Sequence, residues 1–100
     1  MNRYAKGKRI ELKAQRELEN QGYIVYKPPK AKFFDTDVFN LFDLLCKKAG
    51  GETKWIQVKT GKADKLTIGL IEEFKKEYGN PYEKYEIWIY KNRIGFKIIN

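Results

Sequence analysis

Two short apolar segments joined by a glycine turn constrain the fold of this chain most strongly. "LFDLLCKK" (41–48) and "TKWIQVKT" (53–60) are rich in strand-forming residues, and "AGGE" between them is a turn sequence. This pattern predicts a β-hairpin. If its turn is centred on Gly50, the register is fixed, and a slip of one residue would turn every side chain to the opposite face.

Three polar side chains interrupt this hairpin. Asp43 stands in an apolar strand where aspartate is disfavoured, and Gln57 and Lys59 lie two positions apart on the other strand. Residues two apart share a face, and the register centred on Gly50 places Asp43 opposite Gln57 on that same face. The grouping is typical of a functional site. A structural ion pair between Asp43 and Lys59 is the alternative.

The other segments predict a single α/β domain over residues 1–100. A helix-periodic segment ends before Gly22, a usual helix stop, and "PPKAKFFDTDVFN" (28–40) predicts a loop. The order α-β-β-β-α-β-β then gives a mixed β-sheet flanked by helices. The predicted elements outside the first hairpin are a helix at 3–21, a strand at 23–27, a helix at 67–78, and a closing hairpin of 85–90 and 93–100.

A carboxylate falls on the apolar stripe of the first predicted helix. At about 100° per residue, Glu11 lies between Leu18 and Tyr4 within the apolar arc. Burying a carboxylate is costly unless a partner compensates it. Glu11 therefore either points into a site, or reaches solvent or a lysine. The remaining members of the arc are Gly7, Ile10 and Ala14.

The chain contains no histidine and one cysteine, Cys46. These counts exclude histidine-dependent triads, histidine-based zinc hydrolysis, cysteine-clustered zinc sites and an internal disulfide. Cys46, within "FDLLCKK", is interpreted as an ordinary core residue. Any catalysis must therefore depend on carboxylates, lysines, tyrosines or a hard metal ion.

The net charge of +8 is unevenly distributed. Residues 1–32 hold nine Lys and Arg against three acids, whereas residues 33–64 hold five of each. This predicts a polyanionic partner, either nucleic acid or an anionic membrane surface; lysines that only confer solubility are the alternative. No apolar run approaches the ~18 residues of a membrane helix. The N-terminal sequence has no apolar signal-like core, so a cytoplasmic location is expected.

The polar hairpin suits one reaction in particular. An aspartate and a second oxygen ligand on the neighbouring strand can hold Mg²⁺ or Mn²⁺. Such a cation activates water and neutralises charge on a phosphate, and a neighbouring lysine can stabilise the pentacovalent phosphate. Asp43, Gln57 and Lys59 therefore indicate metal-dependent phosphodiester hydrolysis.

The same residues resemble a known nuclease core. Asp43, followed fourteen residues later by "QVK", is similar to the PD-(D/E)xK pattern, in which an Asp and a (D/E)xK lie on adjacent strands. "KGKRIELKAQRELENQGYIVYK" resembles the first helix and strand of archaeal Holliday junction resolvases, and "FDLLCKK…KWIQVKT" resembles their metal-site hairpin. "LIEEF" and "IGFKII" also have counterparts, so the resemblance spans nearly the whole chain, with 28–40 the poorest match.

The resemblance implies a homodimeric, Mg²⁺-dependent endonuclease that acts on branched DNA. Carried over by position, Glu11 is the helix-borne carboxylate, Asp43 a metal ligand, Gln57 the second ligand and Lys59 the catalytic lysine. The C-terminal hairpin and the Phe-rich loop are the candidate dimer surfaces. The predicted DNA-contacting residues are Arg3, Lys6, Lys8, Arg9, Lys30, Lys32 and Lys62.

The chain departs from the family pattern at Gln57, where the family has an acid. An amide oxygen still binds a hard cation but adds no charge, so metal affinity should fall. Asp35 or Asp37 is either a further ligand or a solvated loop acid. Three alternatives to a junction-selective enzyme stay open: an inactive nucleic-acid-binding domain, a restriction-type or repair nuclease on linear or flapped DNA, and a basic interaction module. An archaeal, bacterial or viral origin is compatible with all of them.

Overall fold

The computed structural model describes residues 3–28 and 41–100, with side chains from residue 6 onward. The described residues form two helices and five strands, in the predicted order α-β-β-β-α-β-β. The predicted loop at 28–40 lies outside the described residues except for Pro28. The elements are α1 (Arg3–Asn20), β1 (Tyr23–Tyr26), β2 (Leu44–Lys48), β3 (Thr53–Thr60), α2 (Lys65–Tyr78), β4 (Glu83–Lys91) and β5 (Gly95–Ile99).

The five strands form one mixed sheet in the order β1-β2-β3-β4-β5. Neighbours are antiparallel except β3 and β4, which are parallel because α2 crosses over between them. In the first hairpin, Leu44 pairs with Ile56 and Lys47 with Thr53. The register centred on Gly50 is therefore confirmed.

Helix α1 covers one face of the sheet. Its buried stripe carries Ala14 and Leu18, which pack on Leu44, Ile56 and Trp88. The helix ends at Asn20, and Gly22 follows with φ of 98°, a conformation that glycine adopts without strain. Cys46 belongs to this core and is 1% exposed, and burial raises the pKa of its thiol to about 11. The interpretation of Cys46 as a core residue is confirmed.

Helix α2 covers the opposite face over β3 and β4. Ile71 and Phe74 pack with Phe42, Tyr85 and other apolar residues of that face. The helix begins at Lys65, two residues earlier than predicted. The reason is a cap at Asp64, whose carboxylate accepts a hydrogen bond of 2.6 Å from the Thr67 N–H.

A group of paired charges lies on the α1 face at the end of the sheet near the first hairpin turn. Lys54 Nζ lies 3.3 Å from Glu86 Oε2 and 3.8 Å from Glu52 Oε1. Glu52 also lies 3.3 Å from Lys84 Nζ and accepts a hydrogen bond of 2.9 Å from the Tyr23 hydroxyl. We call this group, completed by Trp88 Nε1–H donating to Glu86, the paired network.

Strand β2 begins at Leu44, three residues later than the predicted strand at 41. The Asp43 N–H donates to the Ile56 carbonyl at 2.8 Å, one residue out of step with the Leu44–Ile56 pairing. Regular pairing of β2 with β3 therefore stops at Asp43, and the strands part there. Within residues 3–28 and 41–100, neither helix is long and apolar enough to cross a membrane.

Candidate active site

Asp43 is fixed at the point where β2 and β3 part. Its carboxylate accepts a hydrogen bond of 2.8 Å from the Val58 N–H, and the residue is 4% exposed. The side chain thus bonds a backbone N–H of the neighbouring strand at the place where regular pairing ends. The oxygens of a carboxylate can accept hydrogen bonds and can also coordinate a hard cation. Asp43 is held in one orientation by a backbone group.

Gln57 and Lys59 flank Val58, the residue that anchors Asp43. Both are half-buried, and by alternation along β3 both lie on the sheet face that α2 covers. The paired register ends at Leu44 and Ile56, and beyond it the Asp43 carboxylate bonds the Val58 N–H. Asp43 thus contacts the backbone of β3 between Gln57 and Lys59, and the grouping of the three side chains in one site stays a prediction. Their roles in catalysis stay a prediction.

Glu11 reaches the same end of the sheet from the other face. It is 8% exposed on the buried stripe of α1, and its Oε1 lies 3.8 Å from Lys27 Nζ. Lys27 directly follows β1, where Tyr26 pairs with Leu45 at the start of β2. The interpretation that Glu11 meets a lysine is confirmed. Its role as a site carboxylate stays a prediction.

Sequence analysis missed Lys27, although the sequence carries a signal for it. Tyr23 and Val25 pack against the α1 core, and alternation along β1 predicts that Lys27 faces the same way. A lysine directed towards a helix needs an acid on that helix, and Glu11 is the acid on the buried stripe. The alternation along β1, combined with the helical wheel of α1, would have predicted the contact between Lys27 and Glu11.

The N-terminal part of α1 is cationic. Residues 3–16 contain six Lys and Arg against one acid, Glu11, which is buried, whereas the exposed acids Glu17 and Glu19 lie in the last turn of the helix. Of the predicted DNA-contacting residues, Lys6, Lys8, Arg9 and Lys62 are exposed. Arg3 lies in α1, but its side chain is outside the described residues, as are Lys30 and Lys32. A cationic helix surface at this end of the sheet suits a phosphate backbone.

A second carboxylate lies near the end of β3. The hydrogen bond from Thr67 holds the pKa of Asp64 below its usual range, and the positive charge of Lys59 contributes in the same direction. Because Asp64 begins α2, the ammonium of Lys59 and the start of that helix lie within electrostatic reach of each other.

The oxygen donors at this end of the hairpin suit a hard cation that takes only one or two of its ligands from the protein. Mg²⁺ commonly takes one or two carboxylates and completes its shell with water and substrate phosphate. Asp43 and Gln57 supply a carboxylate and an amide oxygen on adjacent strands. Within residues 3–28 and 41–100, no three or more His, Cys, Asp or Glu side chains gather to hold a metal ion. The predicted set has only two carboxylates, Asp43 and Glu11; Asp35 and Asp37 lie outside the described residues.

The fold is similar to that of Hjc, a Holliday junction resolvase from the archaeal hyperthermophile Archaeoglobus fulgidus. The similarity covers 93% of this chain and 75% of the resolvase, with a TM-score of 0.67 and 16% sequence identity. No protein-family model and no curated protein matches the chain. The predicted resemblance to archaeal resolvases is thus confirmed for the fold, a mixed sheet flanked by helices.

Proposed function

We propose that this chain is a metal-dependent DNA endonuclease that hydrolyses phosphodiester bonds and prefers branched DNA. The observation that carries the proposal is the Asp43 carboxylate, anchored on Val58 between Gln57 and Lys59. A buried aspartate held in this way can serve as a cation ligand. The cationic surface of α1 can attract the phosphate on which that cation would act. A fold similar to that of a junction resolvase supports the same chemistry.

Asp43 and Gln57 would hold Mg²⁺ or Mn²⁺, with Glu11 as the predicted third oxygen ligand. When bound, such a cation lowers the pKa of a coordinated water and neutralises charge on the phosphate. The bond from Val58 orients Asp43 before the cation arrives, which reduces the ordering that binding requires. Lys27 places a positive charge 3.8 Å from Glu11 Oε1.

Lys59 would act on the phosphate itself. An ammonium beside the scissile phosphate stabilises the charge that builds on the non-bridging oxygens of the pentacovalent transition state. It can also orient the attacking water, while the 3′ oxygen leaves. Lys59 is half-buried near the end of β3, so its side chain is in part accessible to a bound DNA strand.

A cleavage assay tests this proposal directly. Four-way, flapped and linear DNA of matched sequence are incubated with the protein and Mg²⁺, Mn²⁺ or a chelator. Cutting of the four-way DNA that requires the cation is expected, and Lys59→Ala should abolish cutting while DNA binding remains. Cutting of linear or flapped DNA alone would identify a restriction-type or repair nuclease instead. Binding without cutting of any substrate would overturn the enzyme proposal.

The dimer implied by the resolvase resemblance has a candidate surface in the C-terminal hairpin. Ile94 is 82% exposed and Ile98 is 44% exposed, although both are large apolar side chains. Sedimentation analysis should give a dimer for the wild type and a monomer for Ile94→Asp. A wild-type monomer at assay concentrations would contradict this part of the proposal.

A second function is favoured by one residue, Gln57. An amide in the place of the second acid weakens a metal site, so the chain could be a DNA-binding domain that has lost cleavage. The variant Gln57→Glu separates the two functions. If the wild type cuts DNA, the enzyme proposal holds; if only Gln57→Glu cuts, the wild type is the binding domain.

A further inference from the structure

A shallow cleft lies at the ends of β3 and β4, one residue beyond Lys59. Its volume is about 380 Å³, and it opens beside the cationic surface of α1. We call it the strand-end cleft. Its lining residues are Lys6, Thr60, Gly61, Tyr90, Lys91 and Asn92.

The strand-end cleft has a defined floor, because the turn after β3 is tied to β4. The Gly61 N–H donates to the Tyr90 carbonyl at 3.3 Å, and Lys91 Nζ donates to the Gly61 carbonyl at 3.3 Å. Gly61 has φ of 81°, which a side chain would strain. The bond to Gly61 holds the Lys91 ammonium at the cleft and uses one of its three N–H donors.

Tyr90 supplies a second oriented donor. Its hydroxyl accepts a hydrogen bond of 3.1 Å from Lys13 Nζ, which also lies 4.9 Å from the centre of the Tyr90 ring. Because the hydroxyl oxygen already accepts from an ammonium, its own proton is directed to another acceptor. The Phe96 ring packs edge-on against Tyr90 at 5.4 Å and restricts its rotation. Tyr90 and Lys91 both line the cleft, and the Tyr90 hydroxyl is held by the Lys13 ammonium.

The charge around the strand-end cleft is positive on each side. Lys6 and Lys13 approach from α1, and Lys91 from β4. The two chain segments at its rim, 59–63 and 91–97, contain five Lys and Arg and no acid. An anion would thus meet cations from α1, from the turn after β3 and from β4.

We propose that the strand-end cleft binds a phosphate of the DNA backbone next to the scissile one. Lys6, Lys91, the Tyr90 hydroxyl and the Asn92 amide would donate to its non-bridging oxygens. A tetrahedral anion suits this cleft because its oxygens accept from several directions. The cleft is open to solvent and lies beyond Lys59 at the same end of the sheet. A DNA strand that continues past the scissile phosphate could therefore reach it. This inference rests on the proposed function and adds a binding contact to it.

A scan with neutral methylphosphonate linkages tests the cleft. Four-way DNA molecules that each carry one such linkage near the cleavage position are titrated with the protein in a chelator. Removal of a charge-assisted contact should weaken binding about tenfold at one or two linkages. Lys91→Met should bind unmodified DNA more weakly by a similar factor and should not respond to those linkages. Tyr90→Phe, which keeps the ring and the charge, should respond to them only in part.

Lys76→Met is the matched control, because Lys76 is exposed on α2, on the opposite face of the sheet. It removes the same charge and should respond to each linkage as the wild type does. The proposal is overturned if Lys91→Met and Tyr90→Phe respond like the wild type at every linkage, or if the wild type responds at none. Because binding is measured without a metal ion, the scan does not depend on cleavage, and the comparison of Lys91→Met with Lys76→Met isolates the contribution of the cleft. The cleavage assay tests the proposed enzyme separately.

Discussion

The polar residues at the two ends of this sheet differ in how their charges are partnered. In the paired network, Lys54 lies between Glu86 and Glu52, so the charges of the protein compensate one another. At the other end, about 16 Å further along β3 at 3.3 Å per residue, Asp43 is fixed by the Val58 N–H, and Lys59 lies within electrostatic reach of Asp64. The charges of the paired network compensate one another within the fold. For the residues around Asp43, the proposed partners are a cation and a DNA phosphate.

This difference predicts a clean division of mutational effects. Substitutions in the paired network should lower the free energy of unfolding and leave the activity of the folded fraction unchanged. Substitutions around Asp43 should do the reverse, because their contribution is made in the complex with cation and DNA. Each of the following variants tests one side of this division.

Asp43→Asn should have the largest effect on activity. The amide oxygen can still accept the hydrogen bond from Val58, so the local backbone is preserved, but the charge that attracts a cation is lost. We expect cleavage to fall at least about 10³-fold, of the order seen when a transition-state contact is removed. DNA binding in a chelator and urea unfolding should stay near wild type. A loss of stability above about 2 kcal/mol would instead assign Asp43 a structural role.

Glu86→Ala should have the largest effect on stability. The side chains of Glu86 and Lys54 are 5% and 13% exposed. Removal of Glu86 leaves Lys54 with Glu52 as its remaining acid in the paired network, and it removes the acceptor of the Trp88 N–H. Breaking a buried pair from one side costs about 3 kcal/mol. Urea unfolding measures the loss, and cleavage per folded molecule should not change.

Lys84→Ala is the control for Glu86→Ala. It removes a partner of Glu52 that is 52% exposed, where an ion pair contributes less than about 1 kcal/mol. Equal losses in the two variants would show that burial does not set the strength of the paired network.

Two tyrosines predict how stability changes in alkali. Burial, with the neighbouring Glu52, raises the pKa of Tyr23 to about 12, and burial with Glu83 raises that of Tyr85 to about 12. An ordinary tyrosine in the unfolded chain has a pKa near ~10. Since the neutral form is favoured in the folded state, its contribution is complete below pH ~10 and is lost as the pH rises towards 12.

Tyr23→Phe should therefore flatten the fall of unfolding free energy between pH ~10 and ~12, while making the protein less stable at neutral pH by about 1 kcal/mol through the lost bond to Glu52. Tyr90→Phe is the comparison at the other end of the sheet. An equal flattening by Tyr90→Phe would contradict the assignment of the alkaline transition to Tyr23 and Tyr85.

The sequence predicted what depends on local pattern. Alternation and turn chemistry gave the register of the first hairpin up to the Leu44–Ile56 pair, and helical spacing gave the buried position of Glu11. The paired network and the strand-end cleft were not predicted. Both depend on the parallel pairing of β3 with β4, which sets Lys54 near Glu86 and Thr60 beside Tyr90. Parallel neighbours are joined by a crossover helix, so their register is fixed by packing rather than by a turn.

Gln57→Glu is the smallest and most informative change at the site. Glutamate has nearly the shape of glutamine, so the fold should tolerate it, and its charge strengthens the attraction for a cation beside Asp43. We expect the Mg²⁺ concentration for half-maximal cleavage to fall a few-fold, with little change in the rate at saturating Mg²⁺. A metal titration of cleavage on four-way DNA measures both quantities.

Glu86→Gln supplies the opposite exchange at the other end of the sheet. It removes a charge from the paired network but keeps an acceptor for Trp88, so stability should fall while the metal dependence of cleavage stays fixed.

If Gln57→Glu abolishes cleavage with the fold intact, the amide of Gln57 is required for more than cation binding. The site would then depend on its donor N–H, which a carboxylate cannot supply.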